Sequence, residues 1–321
     1  MPSTAGSGAM NPARWLRMTI LGVAGLSALA LFATVSARAQ GRLEVGVFLR
    51  STGHEDPAKA LDAVRALGLT LIQVGRLPDR FYTPEGATEF AGLMKAAGIR
   101  AASVVIVFDG ESYRDREAVE RTVGFRPVAL VPERLAYARR VIDFAAAIGT
   151  SIVTFHVGFL PKDPNEAIYQ SMLEATDDLA RYAAGKRVTI ALETGQETAE
   201  ELEGFLDRIT SARVAVNFDT ANLVLYGMDS PPAALKRLLG RVASLHIKDG
   251  LPPPDARSLG RETRLGEGRA DVAGCLRILR DAKFEGPLII ENYVWRQTKA
   301  DPIEELRRAK AFIERENHQT R

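Results

Sequence analysis

The chain has 321 residues, of which 42 are basic and 40 acidic, and its single cysteine is Cys275. This near balance of charge argues against a nucleic-acid partner, because proteins that bind nucleic acids usually carry a clear basic excess. One cysteine excludes an internal disulfide bond, and its place in an apolar helical pattern predicts that it is buried.

The first forty residues have the pattern of a secretory signal peptide. Two arginines precede an apolar run over residues 18–32, and a small-x-small cleavage motif follows at residues 37–39. We therefore expect residues 1–39 to be cleaved, which leaves 39 basic and 40 acidic residues in a periplasmic or secreted chain with no stable membrane insertion. A retained membrane anchor is the alternative, because residues 18–35 approach the length of a membrane span.

The rest of the chain alternates predicted strands with predicted helices. Apolar runs predict eight strands, at residues 43–49, 70–74, 100–108, 151–156, 187–193, 213–219, 241–248 and 287–291. Helical spacing and capping signals predict the main helices, at residues 57–67, 83–98, 133–148, 165–184, 198–209, 231–239, 271–282 and 302–316. This alternation predicts a single (β/α)8 TIM barrel of the α/β class over residues 40–316, followed by a disordered tail at residues 317–321.

Two long segments interrupt the alternation, at residues 109–131 and 251–268. The first carries several arginines, and the second begins near three consecutive prolines. Loops of this length in compact domains are often lids or binding loops. A solvated excursion of the surface is an equally good interpretation of the first segment.

Four consecutive predicted strands end in a side chain that can bind a metal ion, namely Glu193, Asp219, His246 and Glu291. In a TIM barrel the active site lies at the carboxyl ends of the strands, so we expect these four to converge. A single acid at a strand end is more often a helix cap, but three buried carboxylates together require compensation by a cation. Oxygen ligands with one imidazole favour Mn²⁺ and also admit Mg²⁺, Co²⁺ or Zn²⁺.

The motifs around these residues resemble those of the xylose-isomerase-like TIM-barrel superfamily, which includes AP endonuclease family 2-like proteins. They are most similar to the branch of sugar phosphate isomerases and epimerases, which is related to ketose 3-epimerases, hydroxypyruvate isomerase and inosose dehydratase. The motifs that carry the resemblance are ALETGQ at 191–196, NFDTAN at 217–222, LHIKD at 245–249, LGEG at 265–268 and IIEN at 289–292.

The resemblance implies a metal ion held by Glu193, Asp219, His246 and Glu291. It also implies that the two glutamates exchange protons with a sugar or keto-sugar substrate through a cis-enediolate, as in a metal-dependent isomerase or epimerase. A lyase or dehydratase that cleaves a 3-keto-glycoside or a related keto-polyol on the same metal site is the alternative. Dimers are common in the resembled families, so the resemblance admits a homodimer.

Four further residues are candidates for substrate binding, namely His156, Asn222, Lys248 and Glu267. His156 ends the fourth predicted strand and could instead be a buried histidine that bonds the backbone. Glu267 could fold the loop at residues 251–268 onto the site or cap the following helix. Ketose 3-epimerases usually carry a histidine soon after the strand-six aspartate; here Asn222 follows Asp219, which argues against epimerisation of free ketohexoses.

The same residues bear on two other classes of function. An endonuclease-IV-like phosphodiesterase needs a zinc cluster built from many histidines, whereas the chain has four. A non-catalytic sugar-binding barrel would not need all four metal ligands, and metal analysis of the purified protein distinguishes it.

Overall fold

The computed structural model describes residues 43–211 and 213–318. Its strands are β1 Glu44–Phe48, β2 Leu71–Val74, β3 Arg100–Val105, β4 Ile152–Phe155, β5 Thr189–Glu193, β6 Val214–Asp219, β7 Val242–Ile247, β8 Asp249–Leu251, β9 Arg261–Thr263 and β10 Pro287–Ile290. Its α-helices are α1 Pro57–Ala66, α2 Pro84–Ala97, α3 Arg116–Thr122, α4 Val131–Ala147, α5 Ala167–Gly185, α6 Ala199–Leu206, α7 Asn222–Leu225, α8 Pro231–Leu238, α9 Val272–Asp281, α10 Val294–Thr298 and α11 Pro302–His318.

The predicted signal peptide lies outside the described residues, and its cleavage stays a prediction. Within the described ranges, no helix is both long enough and apolar enough to cross a membrane.

Eight strands close into a parallel barrel, in the order β1-β10-β7-β6-β5-β4-β3-β2. The barrel order is thus the chain order, and the predicted (β/α)8 architecture is confirmed. Helix side chains such as Phe90, Leu179 and Leu276 are fully buried and form one hydrophobic cluster with residues of the strands. Cys275 on α9 is buried in the same cluster, as predicted.

Local sequence signals set several helix ends. Thr83 caps α2 by accepting a hydrogen bond from the backbone of Gly86 at 3.1 Å, with Pro84 at the first helical position. Thr198 and Glu201 form a reciprocal capping box at the start of α6. The last helix continues to His318, two residues beyond its predicted end.

The two interrupting segments are more ordered than their sequences predict. Residues 109–131 contain the short helix α3, and residues 249–263 form an antiparallel hairpin of β8 and β9. The third strand is also shorter than predicted and ends at Val105. Strands of three residues and a seven-residue charged helix are too short for a hydrophobic period to reveal them.

The interior of the barrel contains a layer of polar side chains that are completely buried. Five of these side chains, each from a different strand, lie beneath the carboxyl end of the barrel. Hydrogen bonds link them in two groups, Gln73 with Ser103 and Thr154, and Asn217 with Ser244. Buried polar groups are costly unless they are paired. This layer therefore supports the groups at the barrel mouth.

Candidate metal centre and active site

The four predicted metal ligands converge at one end of the barrel. Glu193 ends β5, Asp219 ends β6, His246 lies next to the end of β7, and Glu291 directly follows β10. These strands are neighbours in the barrel, and β6 pairs with β7 so that Asp219 lies opposite His246. Their ligand atoms all lie within 4.8 Å of one another. The side chains are largely buried, which suits a cluster that holds a metal ion.

The imidazole of His246 is surrounded by acids on one edge. Its Nδ1 atom lies 3.1 Å from an oxygen of Glu193, 3.1 Å from an oxygen of Glu291 and 3.5 Å from Oδ2 of Asp219. Burial opposes protonation, but the charges of Glu193 and Glu291 outweigh it and raise the pKa of His246 well above its usual value. Nδ1 therefore holds a proton or faces another cation.

Glu193 is held by a set of hydrogen-bond donors. Asn222 donates to Oε1 at 3.1 Å and Asn217 to Oε2 at 3.4 Å, while Nε2 of His156 lies 3.3 Å from Oε1. Burial alone would raise the pKa of Glu193, but His246 and His156 hold it well below its usual value. The carboxylate is thus ionised and fixed in orientation.

Asp219 presents one carboxylate oxygen to the cluster without a hydrogen-bond partner. Its Oδ1 accepts hydrogen bonds from the backbone amides of Ala221 and Asn222, both at 2.8 Å. Its Oδ2 is buried and accepts no hydrogen bond among the described residues, although Nζ of Lys248 lies 3.0 Å away. Buried acceptors are rarely left in this state. This oxygen, together with the donor set of three carboxylates and one imidazole, fits a divalent cation.

Lys248 supplies a second positive charge at the cluster. Its Nζ donates a hydrogen bond to Oε2 of Glu291 at 2.8 Å, and the side chain is buried. Burial would raise the pKa of Glu291, but Lys248 and His246 lower it to about 2. Lys248 thus pairs with two predicted metal ligands, and contact with substrate stays a prediction for it.

Of the other predicted substrate-binding residues, the structure brings His156 and Asn222 to the cluster. Burial disfavours the charged form of His156, yet Glu193 raises its pKa to about 9. Glu267 is exposed, and no contact with the four ligands is seen in the described part of the chain. The adjacent loop is held instead by Asp249, which accepts hydrogen bonds from the amides of Gly266 and Gly268.

Sequence reasoning missed several polar residues around the cluster. Oε1 of Gln73, a hydrogen-bond acceptor, lies 2.7 Å from Nε2 of His246, and Glu262 on β9 accepts a hydrogen bond from the amide of Tyr293 at 2.6 Å. Burial raises the pKa of Glu262 to about 7. Strand alternation could have found Asn217, because it lies two residues before Asp219 on the same face.

Aromatic rings and the two ordered insertions surround the mouth of the barrel. Phe48 lies 6.2 Å from the ring of His246 and meets Tyr293 edge-to-face, and Tyr113 lies 6.0 Å from the ring of His156. The insertions contact each other, since the amide of Arg116 donates to the carbonyl of Arg257 at 3.1 Å. Both insertions therefore belong to the rim of the same site.

The family model for xylose isomerase-like TIM barrels matches residues 61–315. The chain belongs to this family. Among solved structures, a xylose isomerase domain protein from Planctomyces limnophilus is 30% identical with a TM-score of 0.76, covering 85% of this chain and 95% of that one. The predicted family resemblance is confirmed.

The curated relatives of this chain include enzymes of two reaction types. An L-ribulose-5-phosphate 3-epimerase of Escherichia coli is 21% identical over 60% of this chain and 66% of its own length. An inosose dehydratase of Clostridium tetani is 24% identical over 46% of this chain and 55% of its own length. The chain thus spans about half to two thirds of the length of these relatives.

Proposed function

We propose that this member of the xylose isomerase-like family is a divalent-metal-dependent isomerase or epimerase of a sugar or keto-sugar. The observation that carries the proposal is the convergence of three carboxylates and one imidazole at the carboxyl end of the barrel, with ligand atoms within 4.8 Å of one another. The sugar epimerase among the relatives supports the same class of substrate.

Glu193, Asp219, His246 and Glu291 would hold the metal ion. When bound, the ion supplies a Lewis acid that polarises the carbonyl oxygen of the substrate. The set of oxygens with one imidazole nitrogen favours Mn²⁺, with Mg²⁺, Co²⁺ and Zn²⁺ as alternatives.

In the proposed reaction, Glu193 and Glu291 transfer protons on opposite sides of the substrate. Each has an oxygen 3.1 Å from Nδ1 of His246, so both carboxylates face the same nitrogen of the imidazole. Both are ionised at neutral pH because neighbouring cations lower their pKa values. In the proposed reaction, one carboxylate accepts the proton from the carbon next to the carbonyl, and the other returns a proton.

The surroundings of the two glutamates hold them in place and limit water access. Asn222 fixes Glu193 through a hydrogen bond of 3.1 Å, and Lys248 fixes Glu291 through one of 2.8 Å. Fixed orientation matters because a displaced base loses much of its rate advantage. The aromatic ring of Tyr113, which lies 6.0 Å from the ring of His156, would offer an apolar face to the carbon–hydrogen groups of a sugar.

A lyase or dehydratase is the second candidate, and His156 favours it. Its pKa of about 9 leaves the imidazole protonated at neutral pH, and its Nδ1 is buried with no hydrogen-bond partner in the described structure. Such a group can donate a proton to a departing hydroxyl or alkoxide. The inosose dehydratase among the relatives supports this reaction type.

Incubation of the protein with a panel of keto-sugars and 3-keto-glycosides in D2O, with Mn²⁺ present, tests these proposals. An isomerase or epimerase incorporates one deuterium beside the carbonyl without losing any group. A lyase releases water or the aglycone instead. If the protein holds a stoichiometric metal ion but shows neither deuterium incorporation nor release of a group with any substrate, the proposed reactions are rejected. A metal content below one ion per chain that added Mn²⁺ does not restore would favour a sugar-binding barrel.

Export and dimerisation are separate proposals that rest on the sequence pattern and on the resembled families. Amino-terminal sequencing of protein recovered from a bacterial host tests cleavage after residue 39. Light scattering of the purified chain tests the homodimer.

A further inference from the structure

Gln73 lies on the opposite side of His246 from the carboxylates. Its Oε1 atom is 2.7 Å from Nε2 of His246, and its side chain is completely buried inside the barrel. Its Nε2 atom donates to the hydroxyls of Ser103 at 3.0 Å and Thr154 at 3.1 Å. The amide therefore uses both of its protons on the two hydroxyls and turns its carbonyl oxygen toward the imidazole.

This arrangement determines which nitrogen of the His246 imidazole carries the proton. Nδ1 of His246 faces the oxygens of Glu193, Asp219 and Glu291. A neutral imidazole has one N–H and one lone pair, and the nitrogen that binds a metal ion must offer the lone pair. An acceptor at Nε2 keeps the proton there and frees Nδ1.

We propose that Gln73 is a positioning residue that holds the proton of His246 on Nε2 and so keeps Nδ1 available as a metal ligand. Ser103 and Thr154 set the orientation of the Gln73 amide, so the hydrogen-bond network spans strands β2, β3, β4 and β7. The inference rests on the proposed metal centre. Partners of this kind on the second nitrogen of a ligating histidine change metal affinity by about 10–100-fold when they are removed.

Two variants of similar side-chain size separate this role from simple packing. Gln73→Met and Gln73→Glu both remove the amide donors to Ser103 and Thr154, but only the Glu variant keeps an acceptor for His246. We expect the Kd for Zn²⁺, measured by competition with a chromogenic chelator, to rise about 10–100-fold in Gln73→Met and to stay within about threefold of wild type in Gln73→Glu. Equal weakening in both variants, or wild-type affinity in Gln73→Met, would overturn the proposal.

Nitrogen-15 NMR of histidine-labelled protein gives a readout that needs no variant and no activity. The chain has four histidines, so His246 is assigned by the signals lost in His246→Gln. We expect Zn²⁺-loaded wild type to show a protonated Nε2 and a metal-bound Nδ1 on His246, and the reverse pattern would overturn the proposal.

The metal-free protein separates a failure of this inference from a failure of the proposed function. If wild type binds no metal ion, the metal centre is rejected. A slowly exchanging Nε2 proton on His246 in metal-free wild type, lost in Gln73→Met and kept in Ser103→Ala, still supports the contact with Gln73. An exchange rate that is the same in wild type and Gln73→Met rejects that contact.

Discussion

Nζ of Lys248 lies 3.0 Å from Oδ2 of Asp219, a buried carboxylate oxygen that accepts no hydrogen bond among the described residues. The same nitrogen is 2.8 Å from Oε2 of Glu291. The ammonium group therefore contacts two atoms that would coordinate a metal ion. Together with His246 it offsets the charge of the carboxylates in the protein without metal, and it competes with a cation for Asp219.

Lys248→Met should destabilise the metal-free protein and increase its response to metal. Removing one partner of a buried ion pair costs about 3 kcal/mol, so we expect a lower free energy of unfolding in EDTA and a larger rise of Tm on adding Mn²⁺. Lys186→Met is the control, because Lys186 pairs with Asp143 on the surface and should cost less than about 1 kcal/mol. Equal urea midpoints for the two variants in EDTA would contradict this account.

Asp219→Asn should remove metal binding without disrupting the loop that follows β6. An asparagine oxygen can still accept the backbone hydrogen bonds of Ala221 and Asn222, but its amide nitrogen would replace the Oδ2 ligand. A metal that binds only the folded state raises stability by about 2.7 kcal/mol at 100 times its Kd. We therefore expect Mn²⁺ to raise the Tm of wild type and leave that of the variant unchanged, as measured by calorimetry. A variant that still gains stability from Mn²⁺ would show that Asp219 is dispensable.

Glu193→Gln and Glu291→Gln should each lower kcat by at least about 100-fold, because each glutamate is proposed to move a proton. Circular dichroism should show the fold unchanged in both. Deuterium exchange in D2O distinguishes their roles, since the variant that lacks the base should lose both exchange and turnover. Full activity in either variant would exclude the two-glutamate mechanism.

Glu197 predicts a pH dependence of stability that is separate from the four ligands. The side chain is buried; the amides of Gly195 and Gln196 lie nearby, but neither oxygen has a partner in hydrogen-bond geometry among the described residues. Burial raises its pKa from 4.5 to about 8. Between these two pKa values, the folded chain holds a proton that the unfolded chain releases. The contribution of Glu197 to the free energy of unfolding is therefore fully present below about pH 4.5 and is lost as the pH rises to about 8.

Glu197→Gln should remove that loss. The quantity to compare is the free energy of unfolding of the variant minus that of wild type. We expect this difference to be larger at pH 8 than at pH 4.5 by on the order of 3 kcal/mol. Urea unfolding at the two pH values measures this difference. Glu200→Gln, at an exposed position on α6, is the control and should show no such change; the same stability difference at both pH values in Glu197→Gln would refute the assignment.

Alanine substitutions at Gly124 and Gly98 test how tightly the first insertion, residues 109–131, packs on the barrel. Both have a positive φ, of 66° and 68°, but a Cβ atom at Gly124 would lie 2.0 Å from the carbonyl oxygen of Val157, whereas one at Gly98 would meet nothing within 4 Å. Gly98→Ala should cost about 1 kcal/mol from backbone strain. Gly124→Ala should cost about 2–4 kcal/mol because a backbone clash is added. Equal losses in urea unfolding would mean that the insertion shifts freely.

The sequence predicted the barrel and the convergence of its four candidate ligands because both depend on local patterns. Apolar runs of strand length alternate with helical spacing, and in a parallel barrel every strand ends at the same rim. Glu193 and Asp219 therefore had to lie close together once their strands were recognised. The resemblance to a known family rested on those same strand ends.

Other features depended on contacts between distant parts of the chain. Gln73 lies 173 residues from His246 in the sequence, and a single glutamine within an apolar strand gave no indication of that partner. The hairpin of β8 and β9 and the exposed position of Glu267 likewise escaped prediction, because short elements carry no readable period.

The sequence alone thus determined the architecture and the chemical types of side chain at the barrel mouth. Only the tertiary structure decided the contact of Gln73 with Nε2 of His246, the pairing of Lys248 with Asp219 and the contact between the two insertions. The reason is that strand periodicity specifies which face a side chain occupies, whereas barrel closure and register specify which side chains meet across it.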